Sequence, residues 1–213
     1  QRKKINIKII KKFIQPKQNL NFGMNKKINQ VYNLLKKSKK PIFILGGGVE
    51  ISKSKNKLSK LFANYKIPYV TTWSGKDCCF YGQKNYVGTI GVYGSRAANF
   101  AVQNSDFILN FGSRLDTRIT GANPGTFARN AKIVSIDIDK NELNKQRGLK
   151  NYLKLNCDLG DFLKKFNKKA KYSCDISWLE KCEEWNINYP NVLENWRKQK
   201  KLTNPYFFIE ILS

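Results

Sequence analysis

Phe107-Ile-Leu-Asn-Phe-Gly-Ser-Arg-Leu-Asp-Thr-Arg-Ile-Thr-Gly121 is the stretch that decides the fold. Its first five residues are almost continuously apolar, as a strand buried on both faces requires. Just past the strand end come Gly112, Arg114, Asp116 and Arg118 on alternate positions. Open α/β sheets bind ligands beyond the carboxyl ends of their strands. A guanidinium there offers planar, permanently charged donors that match a phosphate or carboxylate. The bland alternative is a surface ion pair between these arginines and Asp116.

Similar apolar runs recur on either side. Ile42-Phe-Ile-Leu45 follows Pro41, Ile67-Pro-Tyr-Val-Thr71 comes next, Lys132 to Ile138 is a further strand, and Tyr152 to Asn156 reads as the last. Amphipathic stripes lie between them: Ile28, Val31, Tyr32 and Leu35; Leu58, Leu61, Phe62 and Tyr65, capped by Ser54; Ala97, Ala98 and Ala101; Leu159, Phe162, Leu163 and Phe166, capped by Asp158. Strands alternating with helices predict an α/β fold: a parallel, Rossmann-like sheet with helices on both faces. Trp73 to Gly94 reads as irregular. Asp139 with Glu142, and Ser177 with Glu180, read as capping boxes. Residues 1–24 read as a linker from a preceding domain, 25–170 as the α/β domain, and 171–213 as a helical connector leading to the start of another domain.

Composition narrows the chemistry. The 213 residues include no histidine, which rules out a Ser-His-Asp triad, a Cys-His pair or an H-E-x-x-H zinc site within this segment. The net charge of +25, from 40 basic and 15 acidic residues, invites a nucleic-acid reading. The lysines are nevertheless spread over every segment without interleaved aromatics, so no nucleic-acid partner is expected. Cys78, Cys79, Cys157, Cys174 and Cys182 form no C-x-x-C pair and read as reduced thiols. No secretory signal and no long apolar run stands out, so no membrane partner and a cytoplasmic location are expected. The chain starts at Gln1 rather than Met and reads as an internal segment of a longer protein.

Three glycine groupings are candidate ligand contacts. Gly46-Gly-Gly48 ends a strand, with amides expected to be free to donate to a phosphate. Gly88, Gly91 and Gly94 recur every third residue before a helix. At Ile136-Asp-Ile-Asp139, Asp137 ends a strand where an acidic residue accepts ribose hydroxyls, and Asp139 is a helix cap.

Lys40-Pro-Ile-Phe-Ile-Leu-Gly-Gly-Gly48, Ile67 to Thr72, Gly91-Val-Tyr-Gly94, Ala98 to Asp106, Gly112 to Gly121, Phe127 to Lys132 and Ile136-Asp-Ile-Asp139, in that order, resemble the central domain of the acetolactate synthase (acetohydroxyacid synthase) large subunit. These are thiamine-diphosphate enzymes, and the resemblance spans residues 25–170. It implies a carboligase that condenses pyruvate with a second 2-keto acid, as a homodimer or homotetramer with a regulatory subunit as an expected partner. It also implies that thiamine diphosphate and Mg2+ are held by flanking domains, that this fragment alone is inactive, and that structural FAD sits in the central domain. Carried over by position, Gly46, Gly47 and Gly48 approach the dinucleotide and Thr72 and Trp73 flank it. Gly91, Val92 and Tyr93 pass near the flavin, and Gly112, Arg114 and Asp116 line the same site. Asp137 and Ile138 sit at the adenosine end with Asp158 nearby, and Arg118 grips the carboxylate of the second keto acid. No metal ligand is implied within this segment.

Tyr93, Thr117, Cys157 and the stretch Ser74-Gly-Lys-Asp-Cys-Cys-Phe80 depart from the family pattern. Tyr93 replaces a His, Thr117 an Asp, and Cys157 a Gly. They leave open a sister carboligase of cell-surface sugar biosynthesis, or a keto-acid decarboxylase or oxidase. A sirtuin-like deacetylase is disfavoured for want of a histidine.

Overall fold

The computed structural model describes residues 23–79, 84–145 and 147–212. The expected linker at 1–24 therefore falls outside them except for its last two residues, of which Met24 opens the first helix. In chain order, α1 (Met24–Lys37) leads to β1 (Pro41–Leu45), α2 (Gly48–Ile51), α3 (Lys55–Asn64), β2 (Tyr65–Lys66), β3 (Tyr69–Thr71) and β4 (Tyr86–Thr89). Then follow α4 (Arg96–Gln103), β5 (Phe107–Phe111), α5 (Thr117–Thr120), β6 (Lys132–Asp137), α6 (Lys140–Lys145), β7 (Tyr152–Asn156) and α7 (Leu159–Phe166). The last elements are β8 (Tyr172–Ser173), α8 (Ile176–Asn188), α9 (Glu194–Arg197) and α10 (Pro205–Leu212).

The strands β4-β3-β1-β5-β6-β7 form one six-stranded sheet, and every pairing in it is parallel. Successive strands build outward from β1 in one direction, then restart at β5 on its other side. This is the doubly wound order, and the β1–β5 junction is its switch point. Both central strands are buried at every residue, as strands covered on two faces must be. One helix group joins α1 and α3 to α7; a second joins α4 to α8. The α/β expectation thus holds.

The core explains the spacing. Phe43 of β1 meets Tyr65 and Phe111 edge-on, and Phe162 and Phe166 of α7 stack on each other. Buried aromatic pairs of this kind contribute beyond their buried area, by about 0.5–1.5 kcal/mol each. Asp158 caps α7 as expected, accepting the Asp161 amide at 2.9 Å.

Several expectations are corrected. The stretch from Trp73 to Gly94 is not irregular throughout: a 3-10 turn covers Trp73–Cys78, and β4 is an edge strand. Its signal was masked by Gly88, whose φ of +132° fits a register shift between β3 and β4. The third strand begins at Tyr69 rather than Ile67, because Pro68 has no amide to donate; its carbonyl accepts from Phe43 instead. The Ser54 side chain does not cap α3; its carbonyl accepts the Lys57 and Leu58 amides instead. Ser177 does not cap α8; Asp175 does, accepting both the Ser177 amide and its hydroxyl. Residues 171–200 open with β8, which pairs with β2, and with α8, whose Trp178 donates from Nε1 to the Pro41 carbonyl at 2.9 Å.

Candidate ligand cleft at the strand ends

A cleft of about 930 Å³ lies across the carboxyl ends of the sheet, at the upper end of the usual range for ligand pockets. Residues following each of the six strands line it: Gly47 and Gly48 after β1, Thr72 and Trp73 after β3, Val92 and Tyr93 after β4, Gly112 to Asp116 and Arg118 after β5, Asp137 and Ile138 at the end of β6, and Asp158 after β7. Gly46 and Gly91 are the two candidate residues that do not face it; both are buried behind its wall.

Chain packing requires glycine at positions 46 and 48. A β-carbon on Gly46 would sit 2.4 Å from the Gly112 carbonyl oxygen, and one on Gly48 would sit 2.8 Å from the Gly112 α-carbon. The amides expected to be free are used: Gly46 donates to Phe111, and Gly48 to Gly112. The loops after β1 and β5 are thus laced together at the switch point. Gly91 does the same between the loops after β4 and β5, since its missing side chain makes room for the Arg118 carbonyl, which accepts from the Val92 amide at 2.9 Å.

Asp116 is a helix cap, not the partner of an arginine. Its Oδ1 accepts the Arg118 amide at 3.0 Å. This corrects the surface-pair alternative for Arg118, whose exposed side chain forms no ion pair among the described residues. Arg114 instead has its Nε 3.7 Å from Glu142, a residue the sequence reading assigned to a capping box. Asp139 does cap α6, accepting the Asn141 and Glu142 amides, but Glu142 does not reach back to it. Its carboxylate goes to Lys145, Arg147 and Arg114, and the hydrogen bonds from Lys145 and Arg147 hold its pKa down at about 2.

Asp137 accepts the Asp139 amide at 2.9 Å, and burial pushes its carboxyl up from the ordinary value. Cys157, just past β7, donates its amide to the Asp137 carbonyl at 3.1 Å; it is buried, and burial pushes its thiol up to about 12, away from the reactive thiolate. All five cysteines are free thiols.

The cleft walls carry apolar surface turned to solvent. Trp73 is 67% exposed and Tyr93 82%, with ring centroids 6.0 Å apart; Ile51, Val92 and Ile138 are also exposed there. Isolated exposed apolar side chains are ordinary, but a group of them lining one large concavity marks a binding surface. Ile51, Ser74, Lys76, Ser113 and Glu142 also line it and were missed by sequence reasoning. Ile51 had a readable signal, an apolar residue three positions past a strand-end glycine turn.

Residues 28–166 match the family model described as "Thiamine pyrophosphate enzyme, central domain". The chain belongs to this family of thiamine pyrophosphate enzymes. Among its relatives is the acetolactate synthase large subunit of Cyanidium caldarium, 31% identical over 173 residues, which are 78% of this chain and 29% of that protein. Acetolactate synthase isozyme 2 large subunit of Escherichia coli (strain K12) is 31% identical over 169 residues, 76% of this chain and 30% of that protein. The acetolactate synthase large subunit of Lactococcus lactis subsp. lactis (strain IL1403) is 37% identical over 121 residues, 57% of this chain and 21% of that protein. The chain therefore spans at most about 30% of the length of these relatives. Among the described residues no helix is long and apolar enough to cross a membrane, and no group of acidic, cysteine or histidine side chains is arranged to hold a metal.

Proposed function

We propose that this thiamine-pyrophosphate-enzyme central domain is the FAD-holding segment of an acetolactate synthase-like carboligase, which joins pyruvate to a second 2-keto acid. The observation that carries the reading is the cleft at the switch point: long enough to touch residues after all six strands, apolar and aromatic on its exposed walls, and bordered by Asp137 and Arg114. Those residues fit a flavin dinucleotide. Trp73, Val92 and Tyr93 supply flat apolar surface for the ring, Arg114 a charged donor for phosphate oxygens, and Asp137 an acceptor for ribose hydroxyls. When bound, FAD supplies a rigid spacer for the cleft and no electron transfer in the condensation itself.

Arg118 stands at the cleft with its guanidinium unpaired among the described residues and its backbone pinned at both ends, through the Asp116 cap and the Val92 amide. A fixed charge on a fixed backbone suits the carboxylate of an incoming keto acid, because the guanidinium stays ionised when water is expelled. Thiamine diphosphate and Mg2+ belong to other domains of the full-length protein in this reading, which works as a homodimer or homotetramer in the cytoplasm, with a regulatory subunit as a further partner.

The experiment is purification of the full-length protein that carries this chain, followed by release of bound cofactor and product analysis from pyruvate. A flavin spectrum, FAD in the extract and acetolactate as product are expected. A colourless but fully active protein overturns the flavin assignment. Acetaldehyde or acetyl phosphate in place of acetolactate overturns the carboligase.

A further inference from the structure

The loop after β5 is strained and held from several sides. Leu115 is buried with a φ of +49°, left-handed backbone that a leucine rarely adopts. Such conformations persist only where the surroundings over-determine them, and they gather at ligand clamps. Here Asn110 donates from Nδ2 to the Ser113 carbonyl at 2.6 Å, and the Leu115 amide donates to Ser113 Oγ at 3.4 Å. The remaining hold comes from another element. Arg147, which follows α6, donates from Nη1 to the Arg114 carbonyl at 2.9 Å, the peptide that enters Leu115. Its Nη2 donates to Glu142 Oε2 at 2.7 Å. The Glu142 carboxylate is 9% exposed and also takes Lys145, with the Arg114 guanidinium 3.7 Å away. One buried carboxylate therefore governs both the peptide and the side chain of Arg114, while that side chain remains 69% exposed at the cleft.

We propose that Glu142 and Arg147 are positioning residues that clamp the strained Arg114–Leu115 turn, so that Arg114 is presented to an anionic group of the ligand in the cleft. Glu142 orients Arg147, Arg147 fixes the Arg114 carbonyl, and the left-handed Leu115 turns the chain on towards Asp116 and Arg118. The clamp links the loop after β5 to α6, which follows β6, on the side of the cleft that holds Asp137 and Ile138. Ion pairs of this kind carry specificity and geometry more than net stability, because desolvation offsets most of the attraction. Their loss therefore shows in ligand affinity and loop motion before it shows in the melting point.

This proposal rests on the flavin reading for the identity of the ligand and on the geometry alone for the clamp, and the test separates the two. In the full-length protein, Glu142→Gln and Arg147→Met are compared with wild type by hydrogen exchange of residues 113–118 in ligand-free protein, and by titration of FAD onto the deflavinated protein. Both variants are expected to exchange faster in that loop, with unchanged exchange in β1 and β6. FAD affinity is expected to fall about tenfold in Glu142→Gln, and by less than about twofold when the same change is made in an Arg114→Met background, since residues acting through one contact are not additive. Unchanged loop exchange in both variants overturns the clamp whatever the ligand. Equal affinity losses with and without Arg114 overturn the positioning role. Faster loop exchange in a protein whose wild type binds no FAD upholds the clamp and removes the flavin.

Discussion

At the scale of single residues, the switch point depends on the side chains missing from Gly46, Gly48 and Gly112. A methyl group at Gly46 would meet the Gly112 carbonyl at 2.4 Å and the Ser113 β-carbon at 2.5 Å, both on a loop that cannot yield without moving β5. Gly46→Ala is expected to destabilise the protein by about 2–4 kcal/mol, the range of overpacked or strained core sites, as read from denaturant midpoints. Gly23→Ala makes the contrast, for nothing lies within 4 Å and only its left-handed backbone, φ +69° and ψ 8°, resists the change; about 1–2 kcal/mol is expected. Equal losses at the two sites would refute the steric account. The Arg118 side chain is exposed, lines the cleft and forms no ion pair among the described residues. Under the carboligase reading, Arg118→Ala is expected to raise KM for the second keto acid by about 10²-fold, the value of a charge-assisted pair of about 3 kcal/mol, with decarboxylation of the first pyruvate nearly unchanged. Equal damage to both steps argues against its grip on the second acid.

At the scale of elements, α8 shows how local signals and tertiary contacts divide the work. Its apolar stripe was legible, with Trp178, Cys182 and Trp185 at helical spacing. Its cap was misassigned, because Ser177 and the Asp175 before it are both good capping residues and only the chain direction at entry selects one. Where α8 docks is settled by Trp178, which is buried, meets Trp185 edge-on at 5.9 Å, and donates to the carbonyl of Pro41 at the start of β1. Trp178→Ala is expected to cost about 3–5 kcal/mol and to expose 171–200 to proteolysis well before the sheet unfolds. Cleavage no faster than wild type would mean that other contacts anchor α8. The sixth strand, β4, escaped sequence reading for the opposite reason: glycine at position 88 and an edge position leave few apolar residues to mark it.

At the scale of the whole molecule, the cleft exists because the strand order turns back at β1 and β5, which leaves their carboxyl-end loops diverging to opposite sides. A ligand spanning that line touches elements from Gly47 to Asp158 and binds the folded state only. Added FAD at about a hundred times its Kd is therefore expected to stabilise the full-length protein by about 2.7 kcal/mol against thermal or denaturant unfolding. No shift at saturating flavin, with the melting point equal in the deflavinated protein, would contradict FAD as the occupant.

The sequence by itself determined the class of fold and the type of most of the elements that build it. Runs such as Pro41–Leu45 and Phe107–Phe111 have too few polar groups to face water, and Asp158 satisfies the first turn of its helix from one residue away. These are short-range properties of spacing and capping, complete within a few residues. It also brought most candidate ligand contacts to strand ends, since a strand end is a local feature. Only the tertiary structure decided which strand ends share a wall, that Gly46 and Gly48 meet Gly112, and that Glu142 reaches beyond its own helix to Arg114 and Arg147. Those choices compare contacts between segments far apart in the chain, where pairing energy, desolvation and backbone strain compete. No spacing within a single window records the outcome.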